Sequence, residues 1–160
     1  MNQRKELSIL FIGNSFSYYH ALPKLVADFA WVSDSVSLTV DGVFLGGATL
    51  KLLWNQGKAL KKLKSRHWDY VVLQERGRLG GIIRKGIVHV AKPHSFFIYA
   101  TKFDKEIKKI GAKTILYCPP AFLGVGLPGD ANELQTVYLK LARKLHVGLI
   151  PSGLAFAIAQ

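Results

Sequence analysis

Ser15 lies in the sequence context of a nucleophilic serine. The apolar run Ile9–Ile12 leads directly into Gly13-Asn14-Ser15, a pattern that predicts a buried strand followed by a tight turn. A serine on such a turn exposes its hydroxyl, and amides at the start of the next helix stabilise negative charge that develops on a substrate. The same pattern fits a strand–turn–helix in which Ser15 is an ordinary N-cap residue, so this segment alone leaves both interpretations open.

Two further groups, after the second and third predicted strands, add candidate oxyanion donors for an acyl-transfer site. Such a site needs a nucleophile, a base and hydrogen-bond donors for the oxyanion of the tetrahedral intermediate. The backbone N–H groups of Ser15 and Gly47 are candidate donors, and the side-chain amide of Gln74 is a third. Glycine at position 47 lets the backbone approach a substrate with no Cβ in the way. The alternative is that Gly46-Gly47 is only a turn and that Gln74 only caps a strand.

The elements that must position these groups alternate between strands and helices along the chain. Apolar runs typical of buried parallel strands are Ser8–Ile12, Val36–Val40, Tyr70–Gln74, Thr114–Tyr117 and Gly148–Ile150. Apolar positions at helical spacing predict helices over Leu22–Val32, Leu50–Leu63, Ser95–Ile110 and Asn132–Leu145. This order predicts a three-layer α/β/α fold, with a central parallel sheet of about five strands and helices on both faces. In such a sheet the functional groups lie beyond the carboxyl ends of the strands.

Gly77–Gly86 is the segment with the weakest pattern, because glycines alternate there with arginines. We predict a mobile loop on the site side of the sheet, or a cover over the site. The basic residues in and beside this segment either favour an anionic substrate or face solvent as part of an ordinary loop. They are Arg76, Arg78, Arg84 and Lys85.

Length and composition indicate a single domain over residues 1–160. Apolar residues make up 49% of the chain, and no apolar run reaches the ~18 residues needed to span a bilayer. The first residues lead straight into the first predicted strand without a signal-peptide pattern, so we expect a cytoplasmic protein. Cys118 is the only cysteine, which excludes an intrachain disulfide and a cysteine-based metal site and predicts a buried thiol.

The net charge of +12 raises the question of an anionic partner. Charge of this size attracts nucleic acid, anionic surfaces and acidic substrates. The basic residues cluster in two segments, Lys58–Arg66 and Lys105–Lys113, where the pattern is typical of solvated helix faces. The sequence lacks the interleaving of aromatic and basic residues that single-strand binders use. We therefore expect no specific nucleic-acid partner, and a basic nucleic-acid-binding α/β domain is only the third hypothesis.

Three blocks of the sequence, taken in order, resemble the SGNH, or GDSL-type, serine hydrolases. Ile9–Ser17 is similar to their first block, with Gly13-Asn14-Ser15 where many members have Gly-Asp-Ser. Gly46–Leu50 is similar to the second block, which supplies the oxyanion glycine. Trp68–Glu75 is similar to the third, with Gln74 in place of the usual Asn.

The resemblance covers essentially the whole chain, since Gly111–Tyr117 and Ile150–Ala155 are similar to a branch of the family that carries Gly-Asn-Ser-Phe near its start. It implies a flavodoxin-like α/β/α fold and hydrolysis of small-molecule esters, often acetyl or acyl esters of carbohydrates or lipids. It also implies the roles of the site residues. The catalytic residues would be Ser15, Gly47 and Gln74, and the binding residues Asn14 and Gly46.

The catalytic base of the family comes from a late Asp-x-x-His block, and no such block occurs in this sequence. We expect either a C-terminally truncated form of the family or a relative that has lost its base. Truncation would leave an apolar face of the sheet uncovered, which predicts self-association. Whether the chain is an enzyme therefore stays open. One hypothesis is a serine esterase that uses Ser15, and the other is a catalytically inactive relative that binds an acylated carbohydrate or another small ligand.

The histidines offer one substitute for the missing base. His20 is closest in sequence to Ser15 and is either a base that reaches the site or an exposed residue at the start of a helix. The other four, His67, His89, His94 and His146, have the pattern of surface, loop or cap residues. No pair of histidines has the spacing of metal ligands, so we predict no metal and no cofactor.

Overall fold

The centre of the fold is a sheet of five parallel strands. The computed structural model describes residues 4–33, 36–77, 79–121, 129–153 and 155. The strands in these described ranges are β1 (Lys5–Gly13), β2 (Val36–Phe44), β3 (Tyr70–Leu73), β4 (Ile82–Arg84), β5 (Ile87–His89), β6 (Lys113–Tyr117) and β7 (Gly148–Ile150). Five of them form the central sheet in the order β2-β1-β3-β6-β7. The predicted α/β fold with a parallel sheet of about five strands is confirmed.

The helices fill the connections between these strands. They are α1 (Ser15–Tyr18), α2 (Leu22–Val32), α3 (Leu50–Asn55), α4 (Lys58–Leu63), α5 (His94–Lys109) and α6 (Ala131–Leu145). The single helix predicted over Leu50–Leu63 is wrong, because Gly57 has a left-handed φ of 72° and separates α3 from α4. Of the helices in the described ranges, none is long and apolar enough to cross a membrane.

The main core lies between one face of the sheet and the helices α3 to α6. Leu10 of β1 pairs with Val71 of β3, and Ile12 pairs with Leu73, so these four side chains share that face. All four are fully buried. Close packing of this kind holds the carboxyl ends of β1 and β3 in a fixed relation.

The helix α2 covers the opposite face of the sheet. The crossover from β1 to β2 runs along the sheet in the opposite direction to the later crossovers, and right-handed connections then place α2 on the other side from α3 to α6. The helix buries none of its residues, and its Phe29 and Val32 are 74% and 80% exposed. These exposed residues lie on a helix and not on the sheet, so the uncovered sheet face and the self-association that truncation would cause both stay predictions.

The segment Gly77–Gly86 is not a loop throughout, contrary to our expectation; Arg78 within it lies outside the described residues. Its second half forms an antiparallel hairpin, in which Arg84 pairs with Ile87 across the turn residues Lys85 and Gly86. Their φ angles of 48° and 75° are those of a type I′ turn, which suits the twist of a two-residue hairpin. The hairpin is attached to the start of α6, because the Asp130 N–H donates to the Val88 carbonyl (3.1 Å).

The end of β6 is closed by the residues that follow β7. The Cys118 N–H donates to the Ile150 carbonyl (3.0 Å), and its carbonyl accepts from the Gly153 N–H (3.1 Å) and the Ser152 hydroxyl (2.8 Å). The Cys118 thiol is buried, as predicted, and burial raises the pKa of this thiol to about 12. The thiolate that reacts with electrophiles is therefore scarce at neutral pH.

Candidate active site

Ser15 is the first residue of α1, directly beyond the end of β1. The N-cap is Asn14, whose backbone is extended and whose Oδ1 accepts from the Phe16 N–H (3.2 Å). The interpretation of Ser15 as the N-cap is therefore wrong. Within the described part of the chain, neither the hydroxyl nor the N–H of Ser15 has a hydrogen-bond partner. The side chain is half-buried, so its hydroxyl remains accessible.

Gln74 holds the turn that carries Ser15. This side chain is fully buried at the end of β3, and its Oε1 accepts from the Asn14 N–H (2.9 Å) and from the Ser17 hydroxyl (2.9 Å). Its Nε2 donates to the Glu75 carbonyl. The observed contacts of Gln74 are thus those of a positioning residue, and its contribution to an oxyanion hole stays a prediction.

Gly47 lies on a turn beside the Ser15 turn. The Ala48 N–H donates to the Leu45 carbonyl (3.1 Å), and Gly47 has a φ of 65°, which matches the third position of a type II turn. A side chain at position 47 would strain the backbone, even though its Cβ would meet no atom within 4 Å. The exposed N–H of Gly47 has no hydrogen-bond partner among the residues described, so it is available to a ligand.

Asn14 joins the two turns. Its Oδ1 caps α1, and its Nδ2 donates to the Ala48 carbonyl (2.9 Å), one residue beyond Gly47. Because Asn14 is only 1% exposed, any effect on ligand binding is indirect and acts through the turns. Gly46 is exposed, and a Cβ there would meet the Tyr18 hydroxyl at 3.4 Å. The predicted binding roles of Asn14 and Gly46 stay predictions.

Glu75 is a buried carboxylate that sequence reasoning did not single out. It is 2% exposed, and its two carboxylate oxygens accept from the N–H of Leu50 (3.0 Å) and of Arg76 (2.7 Å). Burial raises the pKa of Glu75, against the opposing effect of these two N–H groups and of the Arg76 charge. The only available signal was an acidic residue directly after Gln74, at the carboxyl end of an apolar strand.

A cavity of about 350 Å³ opens next to Glu75. Its lining includes Thr49, Glu75, Arg76, Lys92 and Ser95. These residues come from the ends of β3 and from the starts of α3 and α5, which is the edge of the sheet where ligands bind in folds of this kind. Two of them are cationic, so the cavity suits a polar or anionic small molecule.

The structure places no histidine beside Ser15 in the described ranges, where no imidazole lies within hydrogen-bond distance of its hydroxyl. His20 is exposed on a short 3₁₀ turn with a φ of 55°, and its ring lies 6.3 Å from that of Tyr19. His94 begins α5, and His146 ends α6. The role of His20 as a base therefore stays a prediction.

His89, Asp130 and Glu133 form a cluster that sequence spacing did not reveal. One ligand atom from each lies within 4.8 Å of the others. Asp130 caps α6 through the Glu133 N–H (2.9 Å), and Glu133 Oε2 accepts from the Val90 N–H and lies 3.1 Å from His89 Nδ1. These contacts attach the hairpin to α6 and explain the cluster structurally. The absence of a metal site stays a prediction.

Solved structures that resemble this fold are esterases and related hydrolases. The SGNH-hydrolase family esterase AlinE4 has a TM-score of 0.67 at 15% identity, over 94% of this chain and 77% of that protein. The acetyl xylan esterase AlAXEase has a TM-score of 0.65 at 18% identity, over 89% and 76%. The lipase/acylhydrolase from Enterococcus faecalis has a TM-score of 0.66 at 18% identity, over 95% and 79%.

No protein-family model and no curated protein matches the sequence. The likeness is therefore one of structure, and identities this low establish the fold alone. The strand order β2-β1-β3-β6-β7 and the likeness to these solved structures together show that the chain has the fold of the SGNH hydrolases.

Proposed function

We propose that this chain is a serine ester hydrolase whose nucleophile is the Ser15 hydroxyl. The observation that carries the proposal is the junction between the Ser15 and Gly47 turns, which the Asn14 side chain makes by donating to the Ala48 carbonyl. Two backbone N–H groups without partners in the described chain, those of Ser15 and Gly47, lie on these joined turns. Fixed donors of this kind stabilise an oxyanion more in the transition state than in the ground state.

In the proposed reaction, the Ser15 Oγ attacks the carbonyl carbon of the ester, and the hydroxyl proton passes to water. The bond from that carbon to the alcohol oxygen breaks, the alcohol leaves with a proton, and water then hydrolyses the acyl-serine. The described residues offer no base in contact with Ser15, so we expect slow turnover. Serine hydrolases that lack a triad member keep roughly 10³–10⁴ of their acceleration over water through the oxyanion hole and binding.

The substrate we propose is a small acetyl or acyl ester of a carbohydrate or a lipid. The cavity beside Glu75, of about 350 Å³, is at the small end of ligand pockets; its lining includes Thr49, two residues beyond Gly47, but neither Ser15 nor Gly47. The structural neighbours include an acetyl xylan esterase and a lipase/acylhydrolase. Arg76 and Lys92 in the lining favour an ester with polar or negatively charged substituents.

The test is hydrolysis of p-nitrophenyl acetate, with Ser15→Ala beside the unchanged protein and Ser65→Ala as the matched control. Ser65 is exposed, and among the described residues its hydroxyl bonds only to the Lys62 carbonyl, so its loss removes a serine without touching the site. We expect turnover in the parent and in Ser65→Ala, none above background in Ser15→Ala, and an acetyl adduct on Ser15 by peptide mass spectrometry. Equal rates in all three proteins and no adduct would contradict the proposal.

A second candidate is binding of an acylated carbohydrate without turnover. It is favoured by the absence of an imidazole in contact with Ser15 among the described residues. Calorimetry with an acetylated xylo-oligosaccharide separates the two candidates. Binding that is equal in the parent and in Ser15→Ala, with no acetyl release, supports this second function, whereas release that depends on Ser15 excludes it.

A further inference from the structure

A groove of about 770 Å³ runs along the line where α5 and α6 meet, and Ser15 is not among the residues that line it. Its floor contains a stripe of α5 with the helical spacing i, i+3, i+4, i+7, and its rim contains a pair of lysines on α6. The stripe is His94, Phe97, Ile98 and Thr101, and the pair is Lys140 and Lys144. We call this feature the α5–α6 groove.

The floor of the α5–α6 groove is apolar. Pro93 and Phe97 are half-buried, and Ile98 is 38% exposed. The Thr101 hydroxyl donates to the Phe97 carbonyl (2.7 Å), so its polar group is already satisfied. The stripe from position 94 to position 101 is about 10 Å long by the rise of an α-helix. An alkyl chain of moderate length would bury this surface and release its water.

The rim of the α5–α6 groove is basic and lacks counter-charges. The lining includes Lys92, Lys140 and Lys144 but no acidic residue. In the described ranges no carboxylate forms an ion pair with any of these three lysines. By contrast, two lysines near the end of α5, Lys108 and Lys109, each contact a carboxylate of their own helix, at 2.8 and 2.6 Å.

We propose that the α5–α6 groove binds a medium-chain carboxylate, such as a free fatty acid. The alkyl chain would lie on Pro93, Phe97 and Ile98, and the carboxylate would lie between Lys140 and Lys144, which are four residues apart and share one face of α6. The apolar floor selects a chain over a free inorganic anion, and the unpaired lysines select an anion over a neutral lipid. This site does not depend on the proposed hydrolysis.

The experiment is titration calorimetry with decanoate below its micelle concentration, in the unchanged protein, because a free carboxylate has no ester bond for Ser15 to cleave. The probe variant is Lys140→Glu/Lys144→Glu. The matched control is Lys58→Glu/Lys61→Glu on α4, where both lysines are exposed and without an ion pair in the described chain. Both double variants change the net charge equally, so bulk attraction would weaken binding to the same extent.

We expect one site for decanoate, at least tenfold weaker binding in the α6 double variant, and little change in the α4 double variant. Ile98→Ser should also weaken decanoate binding, and acetate and decanol should bind much more weakly than decanoate. Three outcomes would overturn the proposal: no saturable binding, equal losses in both double variants, or decanol binding as tightly as decanoate. None of these outcomes bears on Ser15, so the proposed hydrolase function is tested separately.

Discussion

Gly13 and Gln74 hold the Ser15 turn through contacts that leave no spare volume. A Cβ on Gly13 would lie 2.5 Å from the Ser17 hydroxyl oxygen and 2.7 Å from Gln74 Oε1. The same oxygen of Gln74 accepts both hydrogen bonds that fix the turn. The position of the nucleophile therefore depends on the absence of one methyl group, and this dependence is open to a direct test.

Gly13→Ala should lower the free energy of unfolding by about 1–3 kcal/mol, because the added methyl group must displace buried neighbours. Urea unfolding measures this difference. The matched control is Gly148→Ala, whose Cβ would meet, among the described residues, only Ile115, at an ordinary 3.6 Å. Equal changes in the two variants would show that the contacts around Gly13 yield more easily than the geometry indicates.

Glu75→Gln should change how stability depends on pH. Burial raises the pKa of Glu75 in the folded protein above its ordinary value of 4.5. Both states are protonated at low pH, but as pH rises the unfolded state loses its proton first, so the parent loses stability relative to the variant. Lowered pKa values at Asp41 and Asp69 affect both proteins equally and cancel in the difference.

Unfolding free energies of the parent and of Glu75→Gln, measured from pH 4 upward, test this prediction. The free energy of unfolding of the parent, minus that of the variant, should fall as pH rises through 4.5. It should level off above the raised pKa of Glu75 in the folded state. A difference that rises over this range would mean that folding lowers the pKa of Glu75. The N–H groups of Leu50 and Arg76 would then outweigh burial.

The hairpin of β4 and β5 is held by its turn and by its attachment to α6. The turn needs left-handed backbone at Lys85 and at Gly86, and a non-glycine residue adopts that conformation at a cost. In this attachment the Asp130 N–H donates to the Val88 carbonyl. The Glu133 carboxylate accepts from the Val90 N–H and lies within hydrogen-bond distance of His89 Nδ1. Substitutions at the turn should therefore be able to lower or to raise the stability of the hairpin.

Gly86→Ala should destabilise the hairpin by about 1–2 kcal/mol, a purely backbone effect because no atom lies within 4 Å of the added Cβ. Lys85→Asn should stabilise the hairpin, since Asn-Gly is the preferred type I′ sequence. Hydrogen exchange of the Asp130 amide reports both effects, and it should become faster in the first variant and slower in the second. Unchanged exchange in both would show that the attachment opens independently of the turn.

Strands and helices followed from local patterns, whereas the contacts of the site did not. Continuous apolar runs predicted the central strands, and helical spacing gave α2 with the bounds that the structure shows. The apolar spacing continues across Gly57, so it did not predict the division into α3 and α4, which comes from the left-handed φ of Gly57. The local pattern did not predict the hairpin, although two β-branched runs flank Lys85-Gly86, because glycines among arginines are also typical of a loop.

The site itself was predictable only in part. The turns at Ser15 and Gly47 follow apolar runs, so a local pattern placed both at strand ends. The buried state of Gln74 and Glu75 depends on residues far away in sequence, such as Ser17 and Leu50, and no local pattern contains that information. The sequence has no Asp-x-x-His block, and in the described ranges no histidine contacts Ser15.

The two faces of the sheet differ in how the molecule covers them. The face of α3 to α6 carries the main core, whereas α2 on the other face exposes Leu25, Phe29, Trp31 and Val32. Exposed apolar residues clustered on one helix favour association between molecules. The large positive charge opposes it, so the balance should depend on salt.

The double variant Phe29→Ser/Val32→Ser should reduce self-association without loss of stability, because both side chains are largely exposed. Sedimentation velocity at low and at high salt measures the change. The matched control is Ile83→Ser, which removes a 61% exposed apolar side chain from the hairpin instead. If the parent sediments as a monomer under both conditions, the surface of α2 does not drive association.

Cys118 makes the closure at the end of β6 observable without any substitution in the chain. The thiol is buried. The Gly153 N–H and the Ser152 hydroxyl, which follow β7 in the chain, donate to the Cys118 carbonyl. A thiol reagent reaches the sulfur only when this end of the sheet separates, and the chain has no other cysteine to react. Alkylation kinetics of the native protein therefore count the opening events at one strand end.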